Sequence, residues 1–200
     1  MKYFVLLYLA GAIFLTSCRN HQQPADTSRD SLSQADSGRN AYLPVATYLE
    51  TEILHVDSVP LALRRYRTFN GKTDSAFIQV PEFNQLALQF LPTELHDGSF
   101  EKNFTESSFA DQSTESIMFT YTTKVSDQSL RRVDVQTVTG HGSQKVKSIY
   151  LEKRRVSGDS LILEKMYWRT GSNFQIVTMT TVKGKPPVEQ QLKVVWDDEE

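Results

Sequence analysis

The chain has 200 residues, of which 39% are hydrophobic and 23% are charged, and its formal net charge at pH 7 is −2. This length fits one globular domain better than two, and the near-neutral charge gives no overall electrostatic attraction to nucleic acid. Nine Gly, seven Pro and one Cys exclude collagen-like chains, disulfide frameworks and cysteine-rich zinc modules. We therefore predict a domain that is stabilised by side-chain packing and has no nucleic-acid partner.

The N-terminus has the pattern of a secretory signal peptide. Met1 and Lys2 form a short positive end, and an apolar run follows from Tyr3 to Leu15. A run of about thirteen residues is too short to span a hydrocarbon core of ~30 Å as a helix. The pattern therefore predicts export across a membrane.

The apolar run ends in Leu15-Thr16-Ser17-Cys18, which resembles the lipobox of bacterial lipoproteins. The resemblance implies that signal peptidase recognises Leu15, Thr16 and Ser17, that the thiol of Cys18 is diacylated, with palmitate as the expected acyl group, and that residues 1–17 are removed. Because several acyl chains on one residue give lasting attachment, we expect the protein to be anchored to a membrane without spanning it.

The residues after the cysteine predict a destination and a tether. Arg19 stands where enterobacterial lipoproteins retained in the inner membrane typically carry Asp, so the resemblance implies the outer membrane, with the protein facing the periplasm or displayed at the cell surface. Residues 19–40 contain one large apolar residue, Leu32, and cannot bury enough apolar surface to fold. We predict that residues 18–40 are the lipidated cysteine and a disordered tether, with a reach of ~26 Å.

Residues 41–197 are predicted to form a single α+β domain, followed by an acidic tail at 198–200. Apolar residues at helical spacing predict helices over 43–56 and 81–91, the second beginning at Pro81. Asn70-Gly71 separates two candidate strands, 61–69 and 72–79, and is a strong signal for a β-hairpin.

From Thr114 onward the hydrophobic period changes to two. This period predicts six further strands separated by short turns, at 115–125, 131–139, 144–155, 159–169, 173–183 and 188–196. Turns this short connect antiparallel neighbours. The predicted fold is therefore α+β, mainly an antiparallel meander of about eight strands with two helices packed on it.

Two of these strands carry apolar side chains on both faces. In Leu161 to Arg169, Tyr167 and Trp168 point to opposite sides, and Lys147 to Leu151 behaves similarly. We expect both strands to be central and covered on both sides. The aromatic side chains of Tyr167, Trp168 and Trp196 are the candidate ligand contacts, with Trp168 expected to be the more buried of the adjacent pair.

The sequence contains no recognisable catalytic or metal-binding motif. The histidines His21, His55, His96 and His141 are each isolated, and the Asp residues form no calcium-loop pattern. The basic clusters Arg64/Arg65/Arg67, Arg131/Arg132 and Lys153/Arg154/Arg155 are typical of solvated strands, or of contact with anionic head groups. We predict no catalytic residue, no metal and no cofactor.

Three functions are compatible with these features. The leading hypothesis is a non-enzymatic envelope lipoprotein, anchored through acylated Cys18, that binds a lipid, a glycan or an envelope protein. The first alternative is a carrier similar in outline to the LolA/LolB family, in which an unclosed antiparallel barrel capped by helices holds acyl chains. The second alternative is an envelope hydrolase.

Overall fold

The computed structural model of the protein describes residues 42–96, 98–140 and 143–197. Within these ranges the chain forms one antiparallel sheet of nine strands, with three α-helices and two short 3₁₀ helices. The predicted signal peptide, lipobox and tether, His141 and the acidic tail lie outside the described residues. Inside them, no helix has the length and apolarity needed to cross a membrane.

All helices lie before residue 104, and from Phe104 onward every element of the described chain is a strand. The α-helices are α1 (Val45–Ser58), α2 (Val80–Ala87) and α3 (Ser99–Asn103), and the 3₁₀ helices are Leu88–Phe90 and Thr93–Leu95. The strands are β1 (Arg64–Phe69), β2 (Lys72–Phe77), β3 (Phe104–Asp111), β4 (Ser116–Thr123), β5 (Leu130–Gly140), β6 (Ser143–Ser157), β7 (Ser160–Arg169), β8 (Asn173–Val182) and β9 (Val188–Val195).

The strand order confirms the predicted meander and places the hairpin at one end of it. The order is β2-β1-β9-β8-β7-β6-β5-β4-β3, so β2 and β3 are the two edges. The ninth strand, β3, was not predicted, because its sequence FTESSFAD lacks a regular apolar alternation. Only Phe104 of this strand is buried, as expected for an edge strand with solvent on one side.

The hairpin between β1 and β2 confirms the turn prediction. Phe69 and Lys72 are directly paired, and Asn70 and Gly71 form the two-residue loop with φ values of 50° and 73°. Positive φ at both loop positions is the requirement of a type I′ turn, which suits the right-handed twist of the strands.

One face of the sheet, here called the core face, packs against the helices. At its centre is an aromatic cluster of two helical and three sheet-side residues, with ring centroids 5.2–6.5 Å apart: Phe83, Phe90, Trp168, Phe174 and Trp196. Trp168, Phe83, Phe90 and Phe174 are completely buried. The space between helices and sheet is therefore filled by interlocking rings.

Polar contacts around this cluster attach α1, α2 and the 3₁₀ helix Leu88–Phe90 to the sheet. Glu82 of α2 pairs with Arg65 of β1. The backbone oxygen of Gln89 accepts a hydrogen bond from Lys153 Nζ at 3.0 Å, and Glu52 of α1 accepts one from the backbone N–H of Gly171 at 3.0 Å. These bonds join segments that are far apart in sequence, so they fix the helices over the sheet.

The other face of the sheet, here called the open face, corrects the expectation that β7 is covered on both sides. The strand is central, as predicted, and Met166 and Trp168 are buried on the core face. On the open face, however, Lys165, Tyr167 and Arg169 are exposed. The aromatic cluster places the packing of α2 and of the 3₁₀ helix Leu88–Phe90 on the core face alone.

Gly71 provides a direct test of the hairpin. We expect Gly71→Val to destabilise the domain by about 1–2 kcal/mol, because a β-branched residue is strained at positive φ. No neighbouring atom lies within 4 Å of an added Cβ, so the effect would come from backbone strain alone. The measurement is the free energy of unfolding in urea, with Lys72→Val as the exposed control. Equal effects of the two substitutions would contradict the turn.

Candidate functional site

A row of polar and aromatic side chains crosses the open face from β6 to β1. The strand register pairs Tyr150 with Tyr167, Tyr167 with Gln175, Gln175 with Lys193, and Lys193 with Tyr66. We call these five residues the tyrosine row. Since neighbouring strands are ~4.8 Å apart, the row extends over about 19 Å of the sheet.

A second row lies one pleat away, about 6.8 Å along the strands. The register pairs Arg169 with Asn173, Asn173 with Val195, Val195 with Arg64, and Arg64 with Phe77. We call these residues the arginine row. The two rows lie side by side on β7, β8, β9 and β1, and we call their residues on these four strands the patch.

The guanidinium of Arg64 is held over two aromatic rings. Its carbon lies 5.2 Å from the ring centroid of Tyr66 and 5.6 Å from that of Phe77. Attraction between a cation and the face of a ring contributes roughly 0.5–1 kcal/mol at an exposed site. The contact restricts Arg64 without neutralising it, so its positive charge stays available at the surface.

The patch contains three positively charged side chains. Arg64, Lys193 and Arg169 are the charged members of the two rows, and none forms an ion pair with a carboxylate of the described residues. Charged groups that lack partners interact more strongly with an incoming ligand of opposite sign. This end of the open face is therefore suited to an anionic group.

The carboxylates nearest to the tyrosine row lie at its β5–β6 end and are already engaged. Asp134 accepts hydrogen bonds from Thr120 Oγ1 and from Arg132 Nε, each at 2.8 Å. Glu152 Oε2 accepts the phenol proton of Tyr150 at 3.2 Å. The open face is therefore divided into an internally paired end on β5 and β6 and an unpaired cationic end on β7 to β1.

A shallow groove of about 280 Å³ lies within the cationic end. Its walls carry hydroxyl, amide, ammonium and phenol groups and one apolar side chain: Tyr66, Thr68, Gln175, Gln191, Lys193 and Val195. Amide side chains both donate and accept hydrogen bonds, whereas the ammonium only donates. The groove can therefore bind a small group that combines hydroxyls with a negative charge.

A larger groove of about 450 Å³ lies elsewhere, between residues 126–129 and the end of β6. Of its two arginines, Arg154 and Arg155, the second is paired with Glu164, with Nη2 and Oε1 3.2 Å apart. Arg131 Nη1 fixes the facing loop by donating to the carbonyls of Val125 and Ser126, each at 2.8 Å. These charged groups hold the local structure together, which makes the groove a weaker candidate than the patch.

The structure separates the three predicted contact residues. Tyr167 lies in the tyrosine row and is 39% exposed, whereas Trp168 and Trp196 lie in the aromatic cluster with 0% and 6% exposure. The two indole rings are 5.3 Å apart and contact each other. Arg64 was singled out only as part of a basic cluster, typical of solvated strands or of contact with anionic head groups. The other patch residues were missed, because β1 reaches β9 only through a long-range pairing. The one sequence signal was the spacing of Arg64 and Tyr66, which places both side chains on the same face of a strand.

Other reactive groups are dispersed through the described ranges. None of their His, Cys, Asp and Glu residues form a group of three or more that could hold a metal ion. His96 Nδ1 lies 3.5 Å from Glu50 Oε1 at the surface, and His55 lies in the last turn of α1.

Comparison with known proteins gives no relative for the chain. No protein-family model matches the sequence, and no curated protein is significantly similar to it.

The Tyr150–Glu152 contact gives a prediction for the paired end of the open face. The pKa of Tyr150 is raised to about 12, first by burial and then by the nearby negative charge of Glu152 and its hydrogen bond to that carboxylate. We expect Glu152→Gln to lower this pKa toward 10, because the variant removes the negative charge. The measurement is the ultraviolet absorbance of tyrosinate against pH, with Tyr150→Phe identifying the relevant transition.

The raised pKa of Tyr150 also makes its contribution to the stability of the domain depend on pH. Because the folded-state pKa lies above the unfolded value of ~10, the contribution of Tyr150 is fully present below pH 10 and is lost as the pH rises through about 12. An unchanged tyrosine titration in Glu152→Gln would contradict the proposed contact.

Proposed function

We propose that the protein is a membrane-anchored envelope lipoprotein whose domain acts by binding, without a catalytic step of its own. The anchor would be acylated Cys18, at the end of the lipobox-like Leu15-Thr16-Ser17-Cys18, with the outer membrane as the destination. Residues 19–40 would let the domain reach away from the membrane surface. The observation that carries the binding function is the uncovered cationic and aromatic patch on the open face.

The distribution of side chains supports binding at the open face. The core face is occupied by the helices and the aromatic cluster, whereas Tyr167, Lys193, Arg169 and Arg64 are exposed on the opposite face. Keeping a tyrosine and three unpaired cations side by side gives little benefit to stability, because exposed charges contribute little to folding. A role in recognition accounts for their proximity.

The packing beneath the helices supports binding in preference to lipid carriage. A carrier of acyl chains needs an apolar cavity, and in the described residues the region between α2 and β7–β8 is filled by Phe83, Phe90, Trp168 and Phe174. Mass spectrometry of organic extracts from the purified protein separates the two functions. Lipid retained in stoichiometric amount would favour the carrier.

The anchor is tested by cell fractionation. We expect the wild-type protein in the membrane fraction and Cys18→Ala in the soluble fraction, because the variant cannot be acylated. Ser17→Ala is the matched control, since it keeps a small residue before the cysteine and should remain in the membrane. Membrane attachment of the Cys18→Ala protein would contradict anchoring by this residue.

The binding surface is tested by photocrosslinking in cells. A benzophenone amino acid replaces Tyr167 in one variant and Leu54 in another. Leu54 lies on α1 and is 65% exposed, so it samples the helical side of the domain. We expect a discrete adduct from position 167 and none from position 54. No adduct at 167, or the same adducts at both positions, would overturn binding through the open face.

A further inference from the structure

The charge of the patch restricts the ligand to an anion. Arg64, Lys193 and Arg169 bring three positive charges to one face of β7, β9 and β1, although the whole chain has a net charge of −2. Strand geometry places the Cα atom of Lys193 about 8 Å from that of Arg64 and about 12 Å from that of Arg169. The three charges therefore form a triangle, with Lys193 one pleat away from the row that holds Arg64 and Arg169, which fits a ligand with several separate negative groups.

The groups between these cations restrict the ligand further. Asn173, Gln175 and Gln191 offer amide donors and acceptors, and Tyr66 and Tyr167 offer aromatic faces with a hydroxyl at the end. Aromatic rings provide apolar contact with little loss of side-chain entropy, and amides pair with hydroxyl groups. A ligand complementary to this set has flat apolar faces edged by hydroxyls, which is the chemistry of a sugar ring.

We propose that the patch binds an acidic glycan, that is, a chain of sugar residues carrying carboxylates. This inference rests on the proposed function and specifies the ligand of the same surface. One ring occupies the groove of about 280 Å³ between Tyr66, Gln175 and Lys193, a size close to the lower limit of ~300 Å³ for ligand sites. The chain continues along the tyrosine row, over Tyr167, so that its carboxylates face Lys193 and Arg169.

The arrangement favours a glycan over an anionic lipid head group. Basic residues that bind a membrane surface act through accumulated charge and need no specific hydrogen-bonding partners between them. Here the three cations are separated by amides and phenols in a fixed register on adjacent strands. A polymer with alternating hydroxyls and charges uses all of these groups, whereas a phosphate head group uses only the cations.

The test measures binding of a defined oligosaccharide to the full-length protein in detergent micelles. The probe is hexagalacturonate, the neutral comparison is maltohexaose, and isothermal titration calorimetry gives the dissociation constants. We expect hexagalacturonate to bind, with affinity falling as sodium chloride is raised, and maltohexaose to bind at least tenfold more weakly. Salt dependence follows from screening of exposed charges.

Substitutions locate the site. We expect Lys193→Gln and Arg169→Gln each to weaken hexagalacturonate binding about two- to fivefold, the range for exposed ion pairs, and the double variant by about tenfold. Lys165→Gln is the matched control, because Lys165 is an exposed cation of the same face that stands opposite Glu152 in the register. Circular dichroism confirms that each variant is folded.

Each contrary outcome would overturn a different part of the proposal. Equal binding of the two hexasaccharides would remove the requirement for carboxylates, and an equal loss in Lys165→Gln would remove the site. Binding to phosphatidylglycerol vesicles but not to hexagalacturonate would replace the glycan by a lipid head group. Absence of hexagalacturonate binding, with a protein or lipid adduct still formed from position 167, would overturn the glycan while leaving the proposed binding function intact.

Discussion

The structure depends on the aromatic cluster between the helices and the sheet. Phe83 and Phe90 come from one helical segment, and their rings lie within 6.5 Å of Trp168, Phe174 or both. Each of these side chains buries about 150–250 Å² on folding, so the cluster dominates the packing energy of the domain. Because both helical rings insert from the same side, the cluster determines which face of the sheet is covered. Among the residues that the structure describes, the open face therefore has no helix packed on it.

Side chains alternate between the two faces along every strand, so the packing of the aromatic cluster also determines which side chains lie on the open face. Adjacent residues in a strand point to opposite faces, so Trp168 in the aromatic cluster requires Tyr167 on the open face. The antiparallel register then aligns Tyr167 with Tyr150 on one side and Gln175 on the other. A shift by one residue would place Trp168 in solvent and Tyr167 among the phenylalanines. Packing of the core therefore sets the composition of the patch.

The elements that could be predicted from the sequence are those that local residue patterns determine. Period-two alternation identified the strands of the meander, and Asn70-Gly71 identified the hairpin, because both signals come from residues close together in the chain. The edge strand β3 was not predicted, because its exposed polar residues resemble those of a loop. In Lys147 to Leu151, Ile149 and Leu151 are buried on the core face, whereas Tyr150 lies on the open face opposite Tyr167. Just before this segment, Gln136 pairs with Ser148 but Thr137 pairs with Val146, so a bulge at Lys147 turns Val146 toward the core.

The patch could not be predicted because it is assembled by pairing between distant parts of the chain. Tyr66 and Arg64 belong to the N-terminal hairpin, whereas Lys193 belongs to the last strand, more than 120 residues later. In the sequence, Arg64 belongs to a basic cluster that is typical of a solvated strand. The β1–β9 pairing places Arg64 and Tyr66 on the same face of the sheet as Lys193, Gln175 and Tyr167. Arg65, between Arg64 and Tyr66, points to the core face and pairs with Glu82. Two consecutive arginines of one strand thus have different roles: Arg65 holds α2 in place on the core face, and Arg64 presents charge on the open face.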